Sequence, residues 1–126
     1  MPLVTLTVRR PKSTAFKDSV LQAVHSALVG IGVPEADRFH RVLELSPEDF
    51  RFDPGYPDVQ GGRTDDFILI EIVLSVGRSV KVKRQFLDRL MAGLVAAGHD
   101  PENAMVVFKE TTWENWAFAG GRLIHV

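Results

Sequence analysis

The sequence predicts an α/β fold, an α+β sandwich in which two fused βαβ repeats form a four-stranded mixed sheet with two helices on one face. Two observations carry this. A strand–helix–strand order of hydrophobic patterning occurs twice along 126 residues, a length suited to one domain. A shift of 66 residues then lays the halves on each other: Leu3 meets Leu69, Ser13 meets Ser79, Lys17 meets Lys83, Leu21 meets Leu87, Leu28-Val29 meets Leu94-Val95, and Gly32 meets Gly98. One further residue brings Pro34-Glu35 onto Pro101-Glu102. The domain is expected to span 1–126, with repeat one at about 2–45, repeat two at about 67–110 and a C-terminal segment at 111–126.

Residues 2–8 alternate, with Val4, Leu6 and Val8 on one face and Leu3, Thr5 and Thr7 on the other, which reads as a strand. Ser13 or Thr14 can cap a helix carrying Phe16, Val20, Val24, Ala27, Leu28 and Ile31 at helical spacing, closed by Gly30, Gly32 and Pro34. Residues 39–45 form a second strand. The irregular stretch 46–66, rich in Pro, Gly and Asp, is long for a compact domain and marks a functional or disordered loop, with Tyr56 a candidate lid residue. Phe67 to Leu74 is a nearly continuous apolar run, the pattern of a strand buried on both faces. Ser79 can cap a second helix with Val82, Phe86, Leu90, Leu94 and Ala97 on one side; Gly98 ends it, Asp100-Pro101-Glu102 turns the chain, and Ala104 to Lys109 is the fourth strand. With both helices on one side, the second face of the sheet is left bare, and a symmetric oligomer is expected to cover it.

Bulk properties exclude several classes. There is no cysteine, so disulfides, thiolate metal sites and cysteine nucleophiles are out. A net charge of −1 makes no electrostatic case for nucleic acid, and no apolar run is long enough for a transmembrane helix; a cytoplasmic location is expected. His25, His40, His99 and His125 lack metal-ligand spacing, and His25 reads as a helix-flank residue. Gly61-Gly62 lies in no phosphate-loop pattern, and Asp65-Asp66 reads as a solvated turn. Neither a metal nor a cofactor is called for.

Chemistry points to the start of the chain. Removal of Met1 would make Pro2 the N-terminal residue, a secondary amine able to act as base or nucleophile. An α-amino group titrates near about pH 8, and desolvation or a neighbouring cation lowers that value. A strand of this length spans roughly 20–25 Å, so Lys12 at its far end is out of reach of Pro2. Its repeat-mate Arg78, in Ser75-Val76-Gly77-Arg78-Ser79, is within reach if a local two-fold sets the first and third strands antiparallel at the centre of the sheet. An amine beside a guanidinium suits a small carboxylate substrate, whereas a solvated turn arginine is the plain alternative.

With these residues in view, the chain resembles the tautomerase superfamily, and within it the malonate semialdehyde decarboxylase-like group. The resemblance covers nearly the whole chain. It rests on Met1-Pro2-Leu3 opening a strand, Val33-Pro34-Glu35-Ala36-Asp37-Arg38-Phe39, Asp65-Asp66-Phe67, Gly77-Arg78-Ser79 and Glu114-Asn115-Trp116-Ala117-Phe118. It implies a homotrimer, a catalytic amino-terminal proline at Pro2, an arginine at Arg78 that binds the substrate carboxylate, and an acidic residue at Asp37 that works with the proline and water. Trp116 and Phe118 match aromatic residues that line the family pocket. The best-known decarboxylases of the group carry two arginines at the third-strand turn, and Val76 stands at the first of those positions. The function expected is therefore a tautomerase or isomerase in which Pro2 is general base and acid on a small 2-oxo acid or its enol. A decarboxylase or hydratase with Pro2 as proton donor and Asp37 orienting water is the first alternative. A non-catalytic trimeric small-acid-binding domain follows if Met1 is retained.

Overall fold

The structure, a computed structural model, describes residues 2–124. Its elements are β1 (Leu3–Arg9), α1 (Thr14–Gly30), β2 (Phe39–Leu45), β3 (Ile68–Ser75), α2 (Val80–Ala96) and β4 (Ala104–Thr111), with short 3-10 turns at Pro101–Asn103 and Trp113–Asn115. The shift that aligns the sequence halves carries Thr14–Gly30 onto Val80–Ala96 end for end. Ser13 caps α1 by accepting from the Phe16 N–H, and Ser79 caps α2 by accepting from the Val82 N–H. Past each helix the backbone turns through Gly32 and Gly98 at φ values of 105° and 87°, a region that favours glycine.

The sheet order is β2-β1-β3-β4. β1 runs parallel to β2, antiparallel to β3, and β3 runs parallel to β4. The first and third strands are thus the antiparallel central pair that the duplication requires. Val4, Leu6 and Val8 of β1 and Ile68, Ile70, Ile72 and Leu74 of β3 point to the helices and are buried, meeting Val20, Val24 and Leu28 of α1 and Phe86, Leu90 and Leu94 of α2. Burying each such side chain contributes about 1.5–3 kcal/mol. The helices approach closely where Gly93 faces Ala23: a Cβ on residue 93 would lie 3.2 Å from the Ala23 Cβ.

The second face of the sheet differs from the expected bare apolar surface. Glu71 and Lys109 form an ion pair across it at 2.7 Å, and the Arg41 Nε donates to the Thr5 hydroxyl at 3.2 Å. The segment 46–66 also folds over this face. Phe50 and Phe52 pack with Phe67, the Arg9 guanidinium lies 4.1 Å from the Phe52 ring centre, and the Arg9 Nε donates to the Phe50 carbonyl at 2.9 Å. Asn103 ties the end of the segment to the start of β4 through two bonds with Thr64, at 2.9 and 3.0 Å. Asp65 is paired with Arg9 at 2.9 Å.

Candidate active site

The register of the sheet decides which residues share an end. Leu3 lies opposite Phe39 of β2 and opposite Val73 of β3, and Ser75 lies opposite Thr111 of β4. The starts of β1 and β2 and the ends of β3 and β4 therefore form one end of the sheet. Pro2, the 33–38 turn, the 75–79 turn and the segment after β4 all gather there. The loop 46–66 joins the end of β2 to the start of β3 and so belongs to the opposite end, which removes Tyr56 as a lid over Pro2 within its own chain.

Pro2 is buried, and one further step of the β1–β3 register sets it against Leu74. A proline suits the entrance of a central strand, because it has no N–H to contribute to the ladder further in. Met1, on whose removal a free amine depends, lies outside the described residues, as does His125.

Arg78 stands in the turn between β3 and α2. Gly77 makes that turn possible at φ 122°, and Ser79 then caps the helix. The Arg78 side chain is half-buried and its Nη1 donates to the Ser75 carbonyl at 3.3 Å; among the described residues no carboxylate pairs with it. The first turn of α2 holds no acidic residue, so its unpaired N–H groups and the guanidinium together favour an anion.

Asp37 is buried, with 8% of its surface exposed, in a turn held by its own N–H to the Pro34 carbonyl at 3.0 Å. It sits two residues before Phe39, the register partner of Leu3, and so reaches the start of β1 from the side opposite Arg78. Beneath this turn lies His25, which is 1% exposed rather than on a helix flank. Its Nε2 donates to the Glu35 carbonyl at 3.1 Å, and this bond makes a core position tolerable for an imidazole. The His25 ring is 5.7 Å from that of His40. His40 is held below the ordinary histidine value by burial, and further by His25 and Arg38.

The segment after β4 is pinned where it leaves the sheet. The Val76 N–H donates to the Thr111 carbonyl at 2.9 Å, and the Asn115 amide donates to the Thr111 hydroxyl at 2.6 Å. Trp116 and Phe118 stack, their ring centres 5.7 Å apart and their planes at 15°. Among the described residues, buried groups near this end without a hydrogen-bond partner include the indole Nε1 of Trp116 and the hydroxyl of Ser75. Sequence reasoning gave Ser75 no role; a serine closing a strand carries no pattern, and its repeat-mate is Arg9.

The sizeable concavities among the described residues include two that lie elsewhere. One of about 520 Å³ separates the start of α1 from the end of α2 and includes Phe16, Ser19, Asp66 and His99. There the Ser19 hydroxyl meets the His99 Nε2 at 2.7 Å and also donates to the Phe16 carbonyl, so His99 is the donor to Ser19 and the pair ties α1 to the turn that follows α2. Another, of about 420 Å³, lies between the 46–66 segment and the outer face of β3 and β4. Pro2, Asp37 and Arg78 line neither.

Comparison with known proteins is consistent across sequence and structure. A family model described as tautomerase enzyme matches residues 37–119. The chain is 28% identical over 125 residues to the probable tautomerase YusQ of Bacillus subtilis (strain 168), covering 97% of this chain and 96% of that protein. Its fold matches a crystal structure of malonate semialdehyde decarboxylase with a TM-score of 0.87 at 27% identity, over 96% of this chain and 93% of that one. It also matches a fused 4-OT, described as a symmetric trimer, with a TM-score of 0.75 at 22% identity over 98% and 96% of the two chains.

Proposed function

The chain belongs to the tautomerase family and is an enzyme of the tautomerase superfamily, and from that premise we propose that it interconverts a small 2-oxo acid and its enol at Pro2. In the proposed step the Pro2 nitrogen takes the enol hydroxyl proton, leaving the O–H electron pair on the oxygen of an enolate. As that pair becomes the second bond of the carbonyl, the electrons of the C=C bond take a proton back from the Pro2 ammonium at carbon, and the amine is regenerated. Arg78 holds the substrate carboxylate and stabilises negative charge as it spreads over the conjugated system. Trp116 and Phe118 flank the substrate, and Asp37 orients a water or holds the protonated amine. The observation that carries this reading is the strand register, which brings the start of β1 to the end of β3 that leads into Arg78.

A second reading, decarboxylation or hydration with Pro2 as proton donor, is favoured by the 27% identity to malonate semialdehyde decarboxylase, whose structures are described as explaining decarboxylase and hydratase activities, and by a buried Asp37 beside the chain start. A homotrimer is part of the proposal. It is supported by the exposed Phe39, Leu43 and Met105 of the outer sheet face and by the trimeric description of the fused 4-OT.

The test is chemical. Protein made in cells is weighed by mass spectrometry, then incubated with pyruvate and sodium cyanoborohydride. A processed Pro2 amine condenses with the pyruvate carbonyl, loses water to give an iminium, and receives hydride at that carbon to leave a stable tertiary amine. The expected result is a chain lacking Met1 and an adduct on the N-terminal peptide. A retained methionine, or labelling confined to lysines, overturns the proposal.

A further inference from the structure

We propose that Ser75 is a substrate-binding residue whose hydroxyl donates a second hydrogen bond to the carboxylate held by Arg78, an inference that rests on the reading of the site above. Ser75 is 0% exposed, and its Oγ has no hydrogen-bond partner. A buried hydroxyl left unpaired is uncommon and opposes folding. Other polar side chains of the same sheet face have found partners: Glu71 has Lys109, and Thr5 has Arg41.

The position of this hydroxyl gives it a use. Ser75 closes β3, and its carbonyl accepts from the Arg78 Nη1, so the residue lies directly beneath the guanidinium. Its partner on β4 is Thr111, whose hydroxyl accepts from the Asn115 amide and makes no hydrogen bond to the Ser75 Oγ. On the other side, the β1–β3 register ends with Leu3 opposite Val73, and one further step sets Pro2 against Leu74, so the Pro2 nitrogen lies at the end of β1 next to Ser75. Residues directly opposite in an antiparallel pair share a face and have Cβ atoms about 4.5–5.5 Å apart. A small acid entering beside the Pro2 nitrogen therefore comes within reach of Ser75. Arg78 has one nitrogen committed to the Ser75 carbonyl, and a carboxylate has two oxygens to satisfy. The hydroxyl supplies the remaining donor and gains the partner it lacks in the free protein.

The experiment is the concentration dependence of pyruvate trapping on Pro2 by cyanoborohydride, with methyl pyruvate as the uncharged comparison, in wild type, Ser75→Ala and Arg78→Ala. Ser75→Ala is expected to raise the half-saturating pyruvate concentration about tenfold, the scale of one hydrogen bond to a charged group, and to leave methyl pyruvate unchanged. Its Tm should stay the same or rise, because an unpaired buried hydroxyl has been removed. Unchanged pyruvate saturation, or an equal change for acid and ester, overturns the role of Ser75. So does a lowered Tm, which would show the hydroxyl to be structural. If Arg78→Ala weakens pyruvate and Ser75→Ala does not, only this inference falls. If wild type is not trapped, or neither variant matters, the site reading falls with it.

Discussion

Replacing Arg78 tests its proposed carboxylate-binding role at little expected cost in stability. Its only hydrogen bond among the described residues is a long one, 3.3 Å to the Ser75 carbonyl, and no carboxylate pairs with it. Removing the side chain should therefore cost less than about 0.5 kcal/mol of folding free energy, or roughly 2 °C in Tm for a domain of this size. A carboxylate bound through charge-assisted bonds would lose about 1.5–3 kcal/mol, which is roughly 10- to 150-fold in affinity. Arg78→Lys keeps the charge without the planar fork and should fall between wild type and Arg78→Ala. The assay pairs thermal unfolding with saturation of pyruvate trapping in the three proteins. If Arg78→Ala unfolds several degrees early, the arginine is structural. If it keeps both Tm and pyruvate affinity, the arginine is a turn residue with no part in binding.

Other expectations follow from packing and titration. Asn103→Ala removes both bonds to Thr64 and leaves the Thr64 N–H unpaired in a half-buried setting, so stability should fall by about 2–3 kcal/mol; urea unfolding with an unchanged slope and less than 0.5 kcal/mol lost, on the order of experimental error, would refute the clamp. His99 is held below the histidine value of 6.5 chiefly by burial, against a smaller upward pull from Asp66, and His40 is lowered by burial, His25 and Arg38. Both groups therefore bind protons more readily when unfolded. Their contribution to stability is full above 6.5 and is lost as the pH falls through 6.5 towards the lower folded values. The Tm of wild type should drop over that range more steeply than that of a His40→Gln, His99→Gln double variant; parallel curves would contradict the shifts.

Much of this molecule was legible in its sequence because the relevant signals are local. Helical spacing, Ser13 and Ser79 as caps, and Gly32 and Gly98 past the helix ends all act within a few residues. Duplication then supplied one long-range fact, the antiparallel pairing of β1 with β3, from which the approach of Pro2 to the Arg78 turn follows. What was not legible depends on contacts without periodicity. His25 is buried because the Glu35 carbonyl, ten residues on, meets its Nε2. The 46–66 segment lies on the outer face because Arg9 stacks on Phe52 and binds the Phe50 carbonyl. The 3-10 turn Trp113–Asn115 is too short to leave a pattern, and Ser75 stands out only once its surroundings are known.

Fusing two copies of one unit has an evolutionary corollary. A joined pair has only one beginning, so the second copy's opening residue, Ile68, is an ordinary amide and can never inherit the amine chemistry proposed for Pro2. The counterpart of Arg78 in the first copy, Lys12, has its Nζ 3.6 Å from Asp66 Oδ1, a carboxylate from the connecting segment itself. One pole of the sheet thus keeps an unneutralised cation while the other has had its cation quenched. If Pro2 carries the proposed chemistry, the second half serves as scaffold and each polypeptide has a single working pole.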